Sequence, residues 1–450
     1  MFKRVVCVVS LSGALIFSSY TVHAESLTAA LASAYVNNPQ IASALLSLKA
    51  SSEDIALRKA GKLPTISASA VSNTIWQVTG GAATSSTTTT ANLSYQHRLF
   101  DNLQTEAQIE EARAFSDVAV QALRNAEQNV LLSAASAYVA VVRDTRLLQL
   151  RTENVGFLQA QVTSSRDRLD VGEGTRTDVS QAEARLAQAV ATYKSSANSL
   201  RTSQATFARW VGHAPRNLSL AYNLDKLLPR SLDAAIDLAE RNHPAILSAK
   251  AQIRATQSAA EAARAAFGPT LDLIGSICAF ECFAGGAMGT SGSIRLTLSI
   301  PIYAGGSMGA NVRKANLNQV KSEVDALSAR DQVRESVISS WSGVQNATAQ
   351  ITSAAATVAA SKAVLNGVVE ERNVGQRTTL DVLNSQSELV GAEEGRIIAE
   401  TSRVTAAFSL ASAIGRLSAQ DLDLPVQVTS DAGYREKVED IWQDLRAVPN

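Results

Sequence analysis

The sequence has few of the bulky and rigid residues on which a large globular core depends. Aromatic residues make up 5% of its 450 residues, and 9 residues are proline. Long stretches consist mainly of Ala, Ser, Gln, Leu and Val, a composition rich in helix formers. A chain of this length would ordinarily contain two or three globular domains. This composition instead predicts long helices that pack on small side chains.

A surplus of one charge sign is also missing. The 41 basic residues balance 41 acidic ones, and no strongly basic tract occurs, so nucleic acid is not an expected partner. The sequence also lacks a Gly-x-Ser-x-Gly elbow, a phosphate-binding glycine loop and a His-Glu-x-x-His helix. We therefore expect a protein that is not an enzyme.

Cysteine is scarce as well. Cys7 lies inside an N-terminal apolar run and not at a lipid-attachment position, which leaves Cys278 and Cys282. In an oxidising compartment these two would form a local disulfide or remain as free thiols. The histidines of the later sequence are scattered, at His97, His213 and His243. We expect no metal and no cofactor.

Residues 1–24 have the pattern of a secretory signal peptide. Lys3 and Arg4 precede an apolar run from Val5 to Phe17, and Val22–Ala24 supplies a small-residue cleavage site. The run is shorter than the roughly 20 apolar residues that a membrane-spanning helix needs. We therefore expect cleavage and export from the cytoplasm rather than a membrane anchor.

The remaining sequence contains the same arrangement twice. Asn38–Pro39 corresponds to His243–Pro244, and Val171–Gly172 corresponds to Val374–Gly375. Such self-similarity indicates two structural repeats rather than unrelated domains. We place the units of the mature chain as follows: repeat 1 at 25–212, a linker at 213–230, repeat 2 at 231–417 and a C-terminal equatorial or tail segment at 418–450.

Each repeat is predicted to begin with a short helix, Leu27–Ala60 or Leu232–Ala266, followed by two strands. In the second repeat Ile294, Leu296 and Leu298 alternate with polar residues, which is the period of a sheet with one apolar and one polar face. The predicted strands lie at about 66–78, 91–100, 271–278 and 293–303, with hairpin loops at Gly80–Thr90 and Ala279–Gly292. About ten residues per strand suits a tilted strand that spans a membrane.

Two long helices follow the strands in each repeat. They are predicted at about 103–170, 177–211, 308–373 and 379–414. Val337, Trp341 and Val344 begin a run of apolar residues spaced alternately by four and three, which is typical of helices that coil around neighbours. A soluble bundle would show the same stripe. A helix of 60 to 70 residues, however, reaches roughly 100 Å, more than a globular core requires.

The predicted strands imply that several copies of the chain associate. In a membrane an open sheet edge leaves backbone groups unpaired, at a cost of several kcal/mol each. Four strands are too few to close a barrel with a usable lumen, whereas three copies would supply twelve. The sequence therefore favours a mainly α protein with a membrane β-barrel that several chains share.

A turn motif makes the resemblance to a known family specific. The segment Asn373–Asn384 reads NVGQRTTLDVLN, and Val171–Val179 in the first repeat reads VGEGTRTDV. Together with the two-repeat order from about Ser26 to Ser418, these motifs resemble the TolC family of outer-membrane efflux and secretion channels. The resemblance implies a homotrimer, in which a 12-stranded β-barrel in the outer membrane continues as a 12-helix α-barrel in the periplasm.

The resemblance also implies partners and cargo. Such a channel would contact outer-membrane lipid and export proteins or small toxic compounds, delivered by a periplasmic adaptor protein and an inner-membrane ABC or proton-driven transporter. Because no acylated cysteine is expected, the chain resembles the type I secretion branch more than the lipid-anchored drug-efflux branch. The alternative is a periplasmic coiled-coil adaptor or scaffold without a membrane barrel, which would leave the duplicated strands unexplained.

The resemblance assigns roles to the two helix turns and to the residues that follow them. Val171, Gly172, Val374 and Gly375 would form the tips on which the adaptor docks, although plain structural turns would use the same glycines. An iris-like periplasmic gate is implied at Arg377, whose matching partners are Thr177 and Asp178. A guanidinium can hold a hydroxyl and a carboxylate together, so these residue types suit a latch.

The resemblance also places a pore constriction just beyond the second turn. Asp381 matches one ring of acids, whereas Asn384 stands where a second acid is common, so we expect weaker cation selectivity. The alternative role of Asp381 is to cap the following helix. Arg372, near the same tip, is expected to add a contact to the latch.

Overall fold

The computed structural model describes residues 25–219, 228–282, 287–428 and 432–439. The predicted signal peptide lies outside these residues. The first repeat contains α1 (Leu27–Asn37), α2 (Pro39–Lys59), β1 (Thr65–Thr79), β2 (Ala82–Phe100), α3 (Gln104–Asp170) and α4 (Arg176–Val211). The second contains α5 (Leu232–Asn242), α6 (Pro244–Ala265), β3 (Thr270–Cys282), β4 (Ala287–Ser299), α7 (Ser307–Asn373) and α8 (Thr379–Ala413), and α9 (Ala432–Glu439) follows.

The short helix predicted at the start of each repeat is in fact two helices. Asn38 has extended backbone, and its side chain accepts a hydrogen bond from the amide of Gln40 at the start of α2. Pro39 and Pro244 occupy the first turn of α2 and α6, where a missing N–H costs nothing. His243 caps α6 in the same way. The residue before each proline therefore ends one helix and begins the next.

Four long helices dominate the chain. α3 and α7 have 67 residues each, which corresponds to roughly 100 Å at 1.5 Å per residue. α4 and α8 have 36 and 35 residues. α3 packs against α4, α7 packs against α8, and α3 also contacts α8, so two antiparallel pairs lie side by side. None of the helices in the described ranges is long and apolar enough to cross a membrane.

The core lies near the middle of α3 and at the C-terminal ends of α4 and α8, where the short helices α1 and α2 pack against α3. Tyr138, Phe207 and Phe408 are fully buried there. The Tyr138 hydroxyl donates to the carbonyl of Glu25 at 2.7 Å and accepts from the amide of Ser219 at 2.9 Å. These bonds tie α3 to the start of the first repeat and to the linker that follows the repeat. A group of large side chains completes this core: Leu27, Leu31, Leu48, Leu131 and Leu417.

The four strands form one antiparallel sheet in the order β1-β2-β3-β4, and the pairing of β2 with β3 joins the two repeats. The hairpin loop predicted at Gly80–Thr90 is wrong, because only Gly80 and Gly81 form the turn and β2 begins at Ala82. Hydroxyls extend the pairing: Thr74 bonds Thr87 at 3.0 Å. β-Branched threonine favours strand, so the polar run pairs rather than loops.

The second hairpin also differs from its prediction. β3 continues to Cys282 and β4 begins at Ala287, so most of the loop predicted at Ala279–Gly292 is strand; residues 283–286 lie outside the described part. β4 ends at Ser299 rather than 303, because Pro301 has no N–H with which to continue the ladder. The strands predicted at 66–78, 91–100, 271–278 and 293–303 are therefore displaced or lengthened.

The sheet has two chemically different faces. The face defined by Ile66, Trp76, Ile277, Ile294 and Leu296 is called here the apolar face, and these side chains are 60 to 86% exposed in one protomer. Ser67, Ser94, Ser276 and Ser293 lie in one row across the other side, which is called the polar face. A soluble sheet would bury its apolar face against helices.

The option of a local disulfide between Cys278 and Cys282 is wrong. Cys278 is a free thiol. Both residues belong to β3, where four residues of extended strand separate their Cα atoms by about 13 Å. A disulfide requires Cα atoms within about 7 Å.

Candidate functional site at the helix tips

Two near-identical turns join the long helices at one end of the molecule. Gly172 and Gly375 have φ values of +83° and +81°, a left-handed conformation that favours glycine. The amide of Glu173 donates to the carbonyl of Arg168 at 2.8 Å, and the amide of Gln376 donates to the carbonyl of Glu371 at 2.8 Å. This bond pattern defines a Schellman motif. The sequence predicted both turns from the duplicated Val-Gly pairs.

The turns present apolar side chains to their surroundings. Val171 and Val374 are both 71% exposed. A Cβ built at Gly172 or Gly375 would meet nothing within 4 Å, so the backbone conformation rather than crowding explains these glycines. The two predicted docking tips thus combine a fixed backbone shape with an accessible valine.

Each turn leads into a helix that begins with a capping box. The Thr175 hydroxyl accepts from the amide of Asp178 at 3.2 Å, and the Asp178 carboxylate accepts from the amide of Thr175 at 3.1 Å. Thr378 and Asp381 repeat the arrangement at 3.2 and 2.9 Å. Both motifs satisfy amides that the first helical turn leaves unpaired. The capping role that the sequence offered as the alternative for Asp381 is therefore present.

The cap also affects the charge of Asp381. Hydrogen bonds from the backbone and hydroxyl of Thr378 lower the pKa of the Asp381 carboxyl, and nearby Arg377 lowers it further. Hydrogen bonding to the ionised form favours that form. Asp381 therefore keeps its negative charge to lower pH than an ordinary aspartate.

Arg377, the predicted latch residue, binds an acid that the sequence argument missed. Its Nε donates to Glu371 Oε2 at 2.7 Å, and this bond raises the pKa of Arg377. Within one protomer, no described contact joins Arg377 to Thr177 or Asp178. Glu371 precedes the arginine by six residues and meets it only because the turn reverses the chain. The sequence does contain a signal for this ion pair, because an acid and an arginine stand on opposite sides of the predicted turn.

Arg372 is in the last turn of α7 and reaches α3. Its guanidinium donates to Gln161 Oε1 at 2.7 Å and to Asn373 Oδ1 at 3.2 Å, and the residue is 9% exposed. Its Nε has no hydrogen-bond partner. Burial and the neighbouring charge of Arg168 lower the pKa of Arg372. The residue expected to add a latch contact is therefore held within its own protomer.

A seam of polar contacts joins the two helix pairs above the tip. Arg185 donates to Asn384 Oδ1 at 3.1 Å, which places the predicted constriction residue against α4. The buried side chain of Gln386 donates to Asn154 at 3.0 Å. Ion pairs continue the seam between α3 and α8: Arg151–Glu394, and Arg146–Glu400 at 2.8 Å. Sequence reasoning missed these contacts because the partners lie in different repeats.

The polar contacts at the tip are individually weak. Its exposed ion pairs, such as Arg377–Glu371, are each worth about 0 to 1 kcal/mol, because water screens the two charges. Hydroxyl, amide and carboxylate groups make these contacts. Apolar side chains pack further along the helices, in Leu158 and Val162 of α3, Ala182 of α4 and Leu383 of α8.

Comparison with known proteins identifies the family. The family model described as outer membrane efflux protein matches residues 30–213 and 235–416, which correspond to the two repeats. The chain belongs to the outer membrane efflux protein family. It is therefore a protein of the Gram-negative outer membrane. The family consists of efflux and secretion channels.

Relatives match along almost the whole chain. The outer membrane efflux protein BepC of Brucella suis biovar 1 (strain 1330) is 35% identical over 451 residues, which cover 99% of this chain and 97% of BepC. The outer membrane protein TolC of Escherichia coli (strain K12) is 26% identical over 434 residues, which cover 92% of this chain and 86% of TolC. The family resemblance that the turn motifs indicated is confirmed.

Solved structures show the same fold. A membrane protein from Pseudomonas aeruginosa has a TM-score of 0.76 at 21% sequence identity, with 86% of this chain and 90% of that chain covered. At this identity the similarity concerns the fold alone. The mainly helical architecture with a small sheet is thus shared with this membrane protein.

Proposed function

We propose that three copies of this chain form an export channel through the outer membrane, with the sheets sharing one β-barrel and the long helices forming a periplasmic duct. One observation carries the proposal. In the four-stranded sheet β1 and β4 are open edges, and the apolar face is exposed. The strands have 13 to 19 residues, which is long enough to span a bilayer. Pairing of β4 with β1 of the next copy would satisfy both edges.

The helix tips are the end of the channel that receives cargo. The exposed Val171 and Val374 would dock the helical hairpins of a periplasmic adaptor protein, which links the channel to an inner-membrane ABC or proton-driven transporter. Rigid Schellman turns suit this role because they hold each valine in one place before binding, which reduces the entropy lost on docking.

The same tips form an iris-like gate. In the closed channel Arg377 of one copy would bind Thr177 and Asp178 of the next copy, either in place of its bond to Glu371 or in addition to it. Asp381 would project into the lumen, and Asn384 would leave the second ring neutral. Three such latches, each worth about 0 to 1 kcal/mol, bias the closed state and still allow an adaptor to open it.

Single-channel recording in planar bilayers tests the gate. Arg377→Ala and Asp178→Ala should each raise the closed-state conductance, because each removes one side of the latch. Arg330→Ala is a matched control, since this exposed arginine on α7 pairs with the adjacent Asp331 far from the tip. Unchanged conductance in both tip variants would contradict the latch.

The cargo is tested in cells. Deletion of the gene should reduce protein secretion, tolerance of dyes and detergents, or both, depending on which transporter the adaptor recruits. A periplasmic scaffold without a barrel, the alternative function, would form no conducting pore in bilayers. The outer-membrane location of the family already favours the channel.

A further inference from the structure

The polar face of the sheet is lined mainly by hydroxyl and amide groups. Ser67 and Ser94 hydroxyls lie 2.6 Å apart, and those of Ser276 and Ser293 lie 2.9 Å apart in the same row. The register places a row of Ser69, Asn92, Cys278 and Ser291 beside it. These groups are polar but neutral, so a charged side chain among them dominates the local electrostatic field.

Two of the charges on this face cancel one another. Arg98 Nε donates to Asp272 Oδ1 at 3.0 Å. The Asp272 side chain is 15% exposed, and its strand register sets it beside Thr297. This pair therefore contributes no net charge to the polar face, and its acid is already occupied.

Arg295 is the charge that remains. It lies two residues from Ser293 on β4, hence on the polar face, and it is exposed. Its row across the sheet contains Ile274, Gln96 and Thr65, none of them acidic. No ion pair to Arg295 occurs in the described part of the chain. The strands contain one further acid, Glu281.

Neither Glu281 nor a neighbouring copy offers a partner. Glu281 lies seven residues from Ile274 along β3, about 23 Å at the rise of an extended strand, which is beyond the reach of an arginine. If β4 pairs with β1 of another copy, the new neighbour is the sequence TISASAVSNTIWQVT, which contains no charged residue. Closing the barrel would therefore leave Arg295 unneutralised.

We propose that Arg295 forms a ring of three positive charges inside the barrel, near its junction with the helices, that attracts anionic groups of the cargo such as carboxylates and phosphates. The inference rests on the proposed trimeric channel, with the polar face turned to the lumen. Arg295 is four residues from the end of β4, so the ring lies about 13 Å inside the strand end that faces the helices.

The ring is electrically separate from the acids proposed at the tip. The 67 residues of α7 place roughly 100 Å between the two ends of the duct. The Debye length is about 10 Å at 0.1 M salt, so neither charge ring senses the other. An exported anion would thus pass a ring of Asp381 at the entrance and a ring of Arg295 at the barrel. Arg295 is therefore a selectivity residue that acts on the anion as it passes through the barrel.

Reversal potentials under a KCl gradient test this assignment. The Asp381→Asn background is used, so that the tip acids do not mask the barrel. There, Arg295→Gln should shift the permeability ratio towards K⁺ by about twofold at 0.1 M salt, and Arg295→Glu further, because Coulomb attraction of Cl⁻ is lost and then reversed. The shift should shrink at 1 M salt, where the Debye length is about 3 Å.

Two controls and two outcomes make the test decisive. Arg295→Lys keeps the charge, and the double variant Arg98→Gln with Asp272→Asn removes a pair of zero net charge, so both should retain the parental ratio. Equal ratios for the parent and for Arg295→Gln and Arg295→Glu channels would overturn the role of Arg295 and leave the channel intact. If the parental protein forms no conducting trimers, the proposed function fails, and this inference fails with it.

Discussion

At the scale of single residues, the two tip glycines show how backbone conformation restricts the sequence. Gly375 has φ +81° in open space, so a side chain there is strained without clashing. We expect Gly375→Ala to destabilise the turn by about 1 kcal/mol, the usual cost of a left-handed non-glycine residue. Faster amide hydrogen exchange at the tip would report it.

A helical glycine provides the control for that substitution. Gly367 also has open space around its Cβ but lies within α7 with an ordinary backbone. Gly367→Ala should therefore stabilise the helix by up to about 1 kcal/mol, because alanine has the higher helix propensity. Similar exchange rates in the two variants would contradict a conformational role for Gly375.

The buried carboxylate of Glu127 gives a prediction about pH. Burial raises the pKa of Glu127, even though its carboxylate accepts a hydrogen bond from the amide of Ala419 at 2.6 Å. A raised pKa in the folded state means that Glu127 favours folding below the ordinary glutamate value of about 4.5 and loses that contribution as pH rises through the folded pKa.

Glu127→Gln tests this sign. Glutamine keeps an acceptor for Ala419 and carries no charge, so the variant should melt at a higher temperature than the parent at neutral pH. The difference should disappear at a pH below the ordinary glutamate value. Glu436→Gln, on the exposed side of α9, is the control and should not change the melting temperature. An equal melting temperature for Glu127→Gln and parent at neutral pH would show that the buried charge costs nothing.

Residues that act locally were predictable, and residues that act across repeats were not. The sequence indicated Gly172, Gly375 and the capping alternative for Asp381, because turns and caps depend on neighbours within a few positions. It did not indicate Arg185 as the partner of Asn384, since 199 residues separate them. Only the packing of one repeat on the other brings such pairs together.

At the scale of elements, the capping boxes determine where α4 and α8 begin. Thr378→Ala removes the hydroxyl that accepts from the amide of Asp381, and we expect the first turn of α8 to lose about 1 kcal/mol of stability. Hydrogen exchange at Thr379–Val382 should accelerate. Thr378→Ser keeps the hydroxyl and should exchange like the parent; faster exchange in this variant as well would mean that the methyl group, not the cap, holds the turn.

The same scale shows where pattern reasoning succeeds for helices and is limited for strands. The predicted helices at about 103–170 and 308–373, supported by apolar spacing along part of their length, agree with α3 and α7 to within a few residues at each end. The run from Ala82 to Thr90 has no apolar alternation, and small polar residues are common in loops, so its strand character was missed. Cross-strand hydroxyl bonds such as Thr74 to Thr87 become visible only in the paired sheet.

At the scale of the whole molecule, a single chain leaves part of its sheet uncovered. Ile294 and Trp76 are 86% and 76% exposed on the apolar face, and both sheet edges are open. Large exposed apolar surfaces mark sites that lipid or another protein covers. Lipid would cover the apolar face, and neighbouring copies would cover the two sheet edges. The same symmetry would arrange the long helices of the copies around a common duct.

The mass of the particle extracted from outer membranes tests this account most directly. Size-exclusion chromatography with light scattering in detergent should give three mature chains per particle, after the detergent contribution is subtracted, and a heat-modifiable band on gels. The same protein should precipitate or aggregate when detergent is removed. A stable monomer in detergent-free buffer would contradict the shared barrel, and with it the gate and the Arg295 ring.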